Sequence, residues 1–374
     1  MGLGREVRRA VACWLVWAAS IWAIALLVGL YLPPEGGRSH PRTPTEVLSA
    51  WDGAHYAHIA REGYSPEGLD RLRYAFFPLL PALSRLLGGR GHAPLAGILL
   101  AQLCTLAAAL LLQRVERARN GDAPIPLLED PAFWLVASPC SFFLGAFYTE
   151  SLFILLSLLM ATSWRQGRGV AAGISGFFAG LARPTAICLP ALLLPGPGPW
   201  RRLRALRPAA LVVAAAPLAG LGLYVLYTGF ALRHPLGYTF IMKIWGRHLT
   251  VPFLPLVRDV TGLLGLPDVW STASTLRPEE MALRLFSTLG IAALVATGWK
   301  RLEPGDLFYL LLSFAFIHSQ EPNVSTPRYE MALFPVYLLL ARSGLGRLKV
   351  PLAVLFVLCQ ALLLVRHGSW LWVG

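Results

Sequence analysis

Long apolar runs alternate with short arginine-rich segments along most of the chain. Runs of this length, almost free of charge, are typical of membrane-spanning helices rather than of strands or a soluble core. The pattern predicts an all-α integral membrane protein, one polytopic bundle over residues 1–374 with about eleven transmembrane helices, in a range of about nine to thirteen. The runs lie near residues 15–31, 94–112, 133–164, 170–194, 209–230, 283–299, 307–317, 331–341 and 352–365.

The basic residues orient these helices, because short cytoplasmic segments carry an excess of Lys and Arg. Arg5, Arg8 and Arg9 place the N-terminus in the cytoplasm. The same rule assigns three later clusters to that side, at 114–119, 165–168 and 201–207. Two long segments, residues 33–92 and 231–282, are then predicted to be extracytoplasmic loops.

Two of the runs must cross the membrane an even number of times, because basic segments of the cytoplasmic type flank both of their ends. The run 133–164 contains one acidic residue, Glu150, and its turn is predicted there. The run 170–194 is interrupted at Arg183-Pro184, where proline removes a helix donor and disfavours the α region for the residue before it. Irregular backbone at membrane depth persists where it lines a wet cavity, so we expect Arg183 to face one.

Composition agrees with the membrane class. The chain is 56% hydrophobic and 14% charged, with a mean hydropathy of +0.57, which excludes an ordinary soluble domain. Its net charge of +13 is explained by cytoplasmic topology and some phosphate contact rather than by nucleic-acid binding. The five cysteines lie inside apolar runs without metal-ligand spacing, which indicates no disulfide or zinc site.

Polar residues from five separate segments fall on the extracytoplasmic side of this topology. They are Asp52, Tyr148, Glu150, Arg183, Lys243, Arg247, His318 and Arg328, with Tyr329 beside the last. His55 and Tyr56 follow Asp52 by three and four residues and would share its helical face. We therefore predict one site, in which Asp52 is catalytic and the others bind substrate, except His318, which is better explained as a hydrogen-bonded residue at a helix end.

A lone carboxylate among several arginines favours glycosyl transfer from a lipid-linked phosphosugar. Glycoside hydrolases use two close carboxylates, and the sequence predicts no second acid close to Asp52. Phosphate leaves without a strong general acid, so the transfer needs one base for the acceptor hydroxyl and cations, Arg183 and Arg328, for the departing phosphate. A single displacement predicts inversion. No metal and no cofactor is required by these residues.

Simpler structural roles are also open for these residues. Asp52 could cap a helix, and Tyr56 could belong to an interfacial aromatic belt. Arg183 could extend its charged end to the membrane surface. Glu150 has the alternative of a capping acid at a helix start, and Lys243 and Arg247 that of solvated loop charges.

Several short motifs occur in an order that resembles the PIG-V family. They are Trp51-Asp52-Gly53-Ala54-His55-Tyr56, Gly63-Tyr64, Tyr74-Ala75-Phe76-Phe77-Pro78, Ser138-Pro139, Phe147-Tyr148-Thr149-Glu150-Ser151-Leu152-Phe153 and Ala182-Arg183-Pro184, with a weaker match at Pro327-Arg328-Tyr329. The resemblance implies a membrane glycosyltransferase of the GT-C type that takes a sugar, commonly mannose, from a polyprenyl- or dolichyl-phosphate donor outside the cytoplasm. An acid in the first external loop is the usual base, and Asp52 matches it.

The resemblance leaves the acceptor as a glycolipid or glycan hydroxyl. The compact, arginine-rich chain favours a prokaryotic homologue in a plasma membrane. Two other classes stay open: a flippase or transporter of lipid-linked sugars, with Arg183 and Glu150 lining its path, and a non-catalytic membrane subunit of a glycosylation complex. The absence of an inverted repeat in the sequence disfavours a transporter.

Overall fold

The structure is a computed structural model that describes residues 2–32, 43–121, 123–194, 208–264, 266, 278–322 and 325–371. The described residues are predominantly helical. The α-helices are α1 Gly2–Tyr31, α2 Pro44–Leu48, α3 Asp52–Glu62, α4 Leu79–Asn120, α5 Pro131–Ala137, α6 Glu150–Arg165, α7 Gly169–Gly180, α8 Pro208–Ala231, α9 Gly237–Ile244, α10 Leu254–Leu263, α11 Pro278–Gly298, α12 Pro304–Ile317, α13 Thr326–Met331, α14 Pro335–Arg342 and α15 Lys349–Gly368.

Shorter elements connect these helices. The 3₁₀ segments are Gly68–Ala75, Leu127–Glu129, Ser141–Gly145, Pro184–Leu193, Trp299–Arg301 and Gly346–Leu348. Two strands of two residues each, β1 His248–Leu249 and β2 Gln320–Glu321, pair antiparallel, with His248 opposite Glu321. The predicted basic cluster 201–207 lies outside the described residues.

Among the described residues, five helical spans are long and apolar enough to cross a membrane. They are Glu6–Tyr31, Leu79–Asn120, Pro208–Ala231, Glu279–Arg301 and Gly346–Gly368. Shorter apolar helices lie at Gly169–Gly180, Pro184–Leu193 and Pro304–Ile317. The all-α membrane class is thus confirmed, whereas the count of about eleven crossings stays a prediction.

The second predicted hairpin has the expected break. Helix α7 ends at Gly180, and Arg183 adopts an extended conformation, with φ −156° and ψ 148°, immediately before the 3₁₀ segment Pro184–Leu193. In the first hairpin, α6 begins at Glu150 as expected, but the preceding limb is not one helix. It ends at Ala137 because Pro139 forces Ser138 into an extended conformation.

Helix α4 begins earlier than the sequence pattern indicates. It starts at Leu79, inside the segment 33–92 that we assigned to the first loop, and Gly89 interrupts it with φ +59°. Glycine adopts this conformation without the steric cost that other residues incur. The 94–112 span is therefore the part of α4 that follows the Gly89 kink.

Ionic side chains are segregated toward the two ends of the bundle. Glu150 and Arg165 are the first and last residues of α6, so they lie roughly 22 Å apart along its axis. At the Arg165 end, segments predicted to be cytoplasmic pair with one another: Arg9 with Asp130, Arg117 with Glu6, Arg165 with Asp306 and Arg342 with Glu116. The predicted site residues gather at the Glu150 end.

Helices α7 and α8 approach each other through glycines. A Cβ atom added at Gly220 would fall far inside van der Waals contact with the Phe177 carbonyl oxygen, and one added at Gly180 would clash with the Pro217 carbonyl oxygen. Small residues at such crossings allow close backbone packing, which drives helix association in lipid. This contact fixes α7, and with it the turn at Arg183.

We predict that Gly220→Ala lowers the free energy of unfolding by about 1–3 kcal/mol, because the methyl group would force α7 and α8 apart. The measurement is thermal unfolding of the detergent-solubilised protein. Gly222→Ala is the matched control, since a Cβ at Gly222 meets no heavy atom within 4 Å. Equal unfolding temperatures for the two variants would contradict this packing.

Candidate active site

Asp52 is the first residue of α3, and the residue before it, Trp51, has an unusual backbone conformation. Trp51 occupies the N-cap with φ +57° and ψ −121°, a conformation that is strained for a residue other than glycine. The Trp51 indole donates a hydrogen bond to the His367 carbonyl oxygen (3.2 Å) and packs against Trp370, with ring centroids 5.4 Å apart. Because Trp51 is the N-cap, the capping role considered for Asp52 is wrong.

The Asp52 carboxylate instead begins a chain of alternating charges. Arg328 Nη2 lies 2.7 Å from Asp52 Oδ2, and Arg328 Nε lies 3.3 Å from Glu150 Oε1. Glu150 Oε1 is also 2.5 Å from Arg183 Nη1, which donates to the Thr149 hydroxyl at 3.2 Å. Glu150, Arg183 and Arg328 are buried, whereas the Asp52 side chain is 30% exposed. Of the two carboxylates in this series of charges, Asp52 is therefore the one that incoming molecules can reach.

Arg328 sets the electrostatics of Asp52. Burial would raise the pKa of the Asp52 carboxyl, but the charge and hydrogen bond of Arg328 outweigh it and hold that pKa below its ordinary value. Arg247 adds a smaller effect in the same direction. Asp52 is thus a carboxylate at neutral pH, the form that accepts a proton.

Tyr329 forms a second polar group beside this chain. Its phenol oxygen accepts hydrogen bonds from Arg247 Nη1 (3.0 Å) and Arg328 Nη2 (3.3 Å), and the Arg183 guanidinium lies 5.2 Å from its ring centroid. Burial would raise the pKa of Tyr329, but the charges of Arg247 and Arg328 lower it to about 8. The strand β1, which pairs with β2, follows Arg247 directly and so brings this arginine to the site.

These groups line a cavity of about 470 Å³. All but one of the predicted site residues contribute to its wall: Asp52, Tyr56, Tyr148, Glu150, Arg183, Lys243, Arg247, Arg328 and Tyr329. Four of the described lining side chains are lysine or arginine and two are carboxylates, so the cavity carries an excess of positive charge. Among the described residues, neither Lys243 nor Arg247 has a carboxylate partner.

His55 is the predicted residue that does not reach the cavity. Its ring stacks on Phe76 with centroids 4.5 Å apart and meets Trp245 edge-on at 5.7 Å. Phe76 and Trp245 line the cavity, so His55 lies behind its aromatic wall. Tyr56, one residue further along α3, projects into the cavity instead.

His318 lies outside this cavity. It is fully buried at the C-cap of α12, and its Nε2 lies 2.9 Å from Glu330 Oε1. Its placement agrees with the role of a hydrogen-bonded residue at a helix end. Within the described residues, no three His, Cys, Asp or Glu side chains are grouped as a metal site would require.

The structure adds lining residues that the sequence reasoning missed. Tyr238, Met242 and Trp245 line the cavity from α9 and its C-cap, and Trp245 is held by a hydrogen bond to the Leu72 carbonyl oxygen (3.0 Å). Their i, i+4, i+7 spacing marks one helical face and was visible in the sequence. Gln320 of β2 also lines the cavity, and only the pairing of β1 with β2 brings it there.

The arrangement defines a class: an all-α membrane protein with an accessible carboxylate and surplus cations around one cavity. No family model matches the chain. Curated relatives that it resembles include GPI alpha-1,6-mannosyltransferase 2 of Rattus norvegicus, 33% identical over 137 residues, which cover 34% of this chain and 27% of the relative. The Mus musculus protein of the same name is 34% identical over the same shares.

The Homo sapiens protein of that name is 32% identical over 131 residues, 32% of this chain and 26% of the relative. The aligned part of the chain thus spans about a quarter of the length of the curated relatives it matches. Over about a third of the chain, these matches confirm the resemblance to the PIG-V family.

We predict that one tyrosine of the protein ionises near pH 8 and that Tyr329→Phe removes this transition, because Arg247 and Arg328 stabilise the phenolate. Tyrosinate absorbance in the near ultraviolet during a pH titration is the measurement. Arg247→Gln should move the transition to higher pH, since it removes a stabilising charge. Tyr31→Phe, at an exposed tyrosine, is the matched control and should retain it. Identical titrations of wild type and Tyr329→Phe would contradict the arrangement.

Proposed function

We propose that the protein is an inverting membrane glycosyltransferase. It moves a sugar, with mannose the first candidate, from a polyprenyl- or dolichyl-phosphate donor to a hydroxyl of a glycolipid or glycan. The observation that carries the proposal is one accessible carboxylate, Asp52, in a cavity where Lys243 and Arg247 have no carboxylate partner among the described residues. The names of the similar mannosyltransferases support the choice of sugar.

The cavity supplies the two functions that such a transfer needs. The acceptor hydroxyl forms a bond to the anomeric carbon of the donor sugar and gives its proton to the Asp52 carboxylate. The bond from that carbon to the phosphate oxygen breaks, and the lipid phosphate leaves with the electron pair. Attack and departure on opposite faces of the sugar invert its configuration. The low pKa of Asp52 suits a late proton transfer, since the hydroxyl becomes acidic as its new bond forms.

The cations divide into two groups. Arg183 and Arg328 are buried and already neutralise Glu150 and Asp52, so they hold the two acids in position. Arg247 and the exposed Lys243 are free of carboxylates within the described part of the chain, and we assign the departing phosphate to them. This changes the expectation that Arg183 and Arg328 bind the phosphate directly.

In this proposal the site lies at the extracytoplasmic face, and the N-terminus of the chain lies in the cytoplasm. The support is the excess of arginine in the segments that meet at the opposite end, around Arg9, Arg117, Arg165 and Arg342. A prokaryotic plasma membrane is the proposed location, because the chain is rich in arginine.

We expect Asp52→Asn to lower the transfer rate about 10²–10⁴-fold, because it removes the base and keeps the size of the side chain. The assay uses the full chain in liposomes with labelled polyprenyl-phosphate mannose and a mixed glycolipid pool, and the product is analysed for anomeric configuration. Asp70→Asn is the matched control: Asp70 pairs with Arg73 and is not among the described lining residues.

Full activity of Asp52→Asn would reject Asp52 as the base. Donor lipid that moves across the bilayer without sugar transfer would favour a flippase instead. A third outcome is that the wild-type protein alone shows neither sugar transfer nor lipid movement. If sugar transfer then occurs only when a partner enzyme is added, a non-catalytic subunit would be favoured.

A further inference from the structure

A second cavity, of about 580 Å³, runs along helix α11 on the other side of α13. Helices α14 and α15 contribute the facing walls, through residues such as Tyr337 and Phe356. Most of its lining is apolar. The proposed transferase chemistry assigns it no role, because Asp52, Lys243 and Arg247 line the first cavity.

The shape of the second cavity suits a hydrocarbon chain. Its wall on α11 includes Leu283, Ser287, Gly290, Leu294 and Thr297, which alternate at spacings of three and four and so form one continuous stripe. From Leu283 to Thr297 this stripe is roughly 21 Å long, which is about two-thirds of the hydrocarbon thickness of a bilayer. Phe286, which also lines the cavity, is 54% exposed, so the groove is open toward the surrounding lipid.

One end of this groove adjoins the candidate active site. Helix α13 forms the partition, because Pro327, Glu330 and Met331 line the groove whereas Arg328 and Tyr329 line the first cavity. A lipid whose chain occupies the groove would therefore present its headgroup beside Arg328, the partner of Asp52.

The polar groups of the groove argue against a phosphate headgroup. Beside α13 they include the Glu330 carboxylate and the Ser287 hydroxyl, which bond to each other, and Glu330 also accepts from Thr288 at 2.9 Å. Arg301 is the single cation among its described lining residues, and it lies fourteen residues beyond Ser287, past the C-terminal end of α11 and roughly 20 Å away. The surplus cations for phosphate are Lys243 and Arg247, in the other cavity.

We propose that this groove binds the hydrocarbon chain of the glycolipid acceptor, and that the donor reaches the site from the cation-lined cavity. The two lipids then approach from opposite sides of α13, and the acceptor headgroup extends past this six-residue helix to reach Asp52. This inference rests on the proposed transferase function and names the lipid class that supplies the attacking hydroxyl.

The test fills the groove with Gly290→Leu and compares it with Gly222→Leu on α8. A Cβ at either glycine meets no heavy atom within 4 Å, so neither substitution clashes at Cβ, and Gly222 is not among the described residues that line the groove. Wild type and both variants are photolabelled in phosphatidylcholine vesicles with a glycolipid that carries a photoreactive group in its acyl chain. Labelled peptides are mapped by mass spectrometry.

We expect labelling of α11 in wild type and Gly222→Leu and its loss in Gly290→Leu. Unlabelled glycolipid should compete for labelling, and polyprenyl phosphate should not. In the transfer assay, Gly290→Leu should raise the KM for the glycolipid acceptor about tenfold or more, since several buried CH₂ groups are displaced, and leave the KM for the donor unchanged.

Competition by polyprenyl phosphate would overturn the proposal, because the groove would then hold the donor chain. Equal labelling of α11 in wild type and Gly290→Leu would also overturn it, since bulk lipid would account for the signal. The labelling needs no catalysis. If glycolipid competes as expected while the wild type transfers no sugar, the proposed function fails; if transfer occurs but labelling is not competed, the groove assignment fails alone.

Discussion

The candidate site depends on one buried guanidinium, that of Arg328, which is shared by two carboxylates. It lies 2.7 Å from Asp52 and 3.3 Å from Glu150, and Glu150 in turn binds Arg183. Removing any of these charges would leave another one buried and uncompensated, which costs several kcal/mol in ion pairs of this type. These ion pairs therefore hold α3, α6, α13 and the break at Arg183 together at one site. Asp52 is the acid of this site that is exposed to the cavity.

The membrane environment explains why the charged residues of this site lie at the ends of helices. A charge at mid-membrane is expensive, so ionic side chains concentrate where helices terminate or break. Glu150 begins α6, Arg183 precedes Pro184, and Asp52 begins α3. The same rule places the Arg165–Asp306 pair at the far end of α6 and the start of α12. The bundle thus has one end that carries the candidate site and one end that carries structural ion pairs, and Lys243 and Arg247 belong to the former.

The sequence predicted those parts of the site that depend on interactions between residues close together in the chain. The Arg183-Pro184 break and the start of α6 at Glu150 follow from proline sterics and from the cost of an acid in an apolar run. The partition helix α13, the pairing of β1 with β2 and the groove along α11 depend on contacts between residues far apart in sequence, which periodicity does not encode. For the same reason His55 was expected in the site, although Phe76, more than twenty residues later, separates it from the cavity.

In the proposed reaction, Asp52 and the cations Lys243 and Arg247 act on one lipid phosphosugar. An experimental structure with a non-reactive phosphonate analogue of polyprenyl-phosphate mannose bound would test it most directly. We expect the phosphonate to contact Arg247 and Lys243 and the anomeric carbon to face Asp52. A phosphonate bound in the groove beside Gly290, or at the Arg165 end of the bundle, would contradict it.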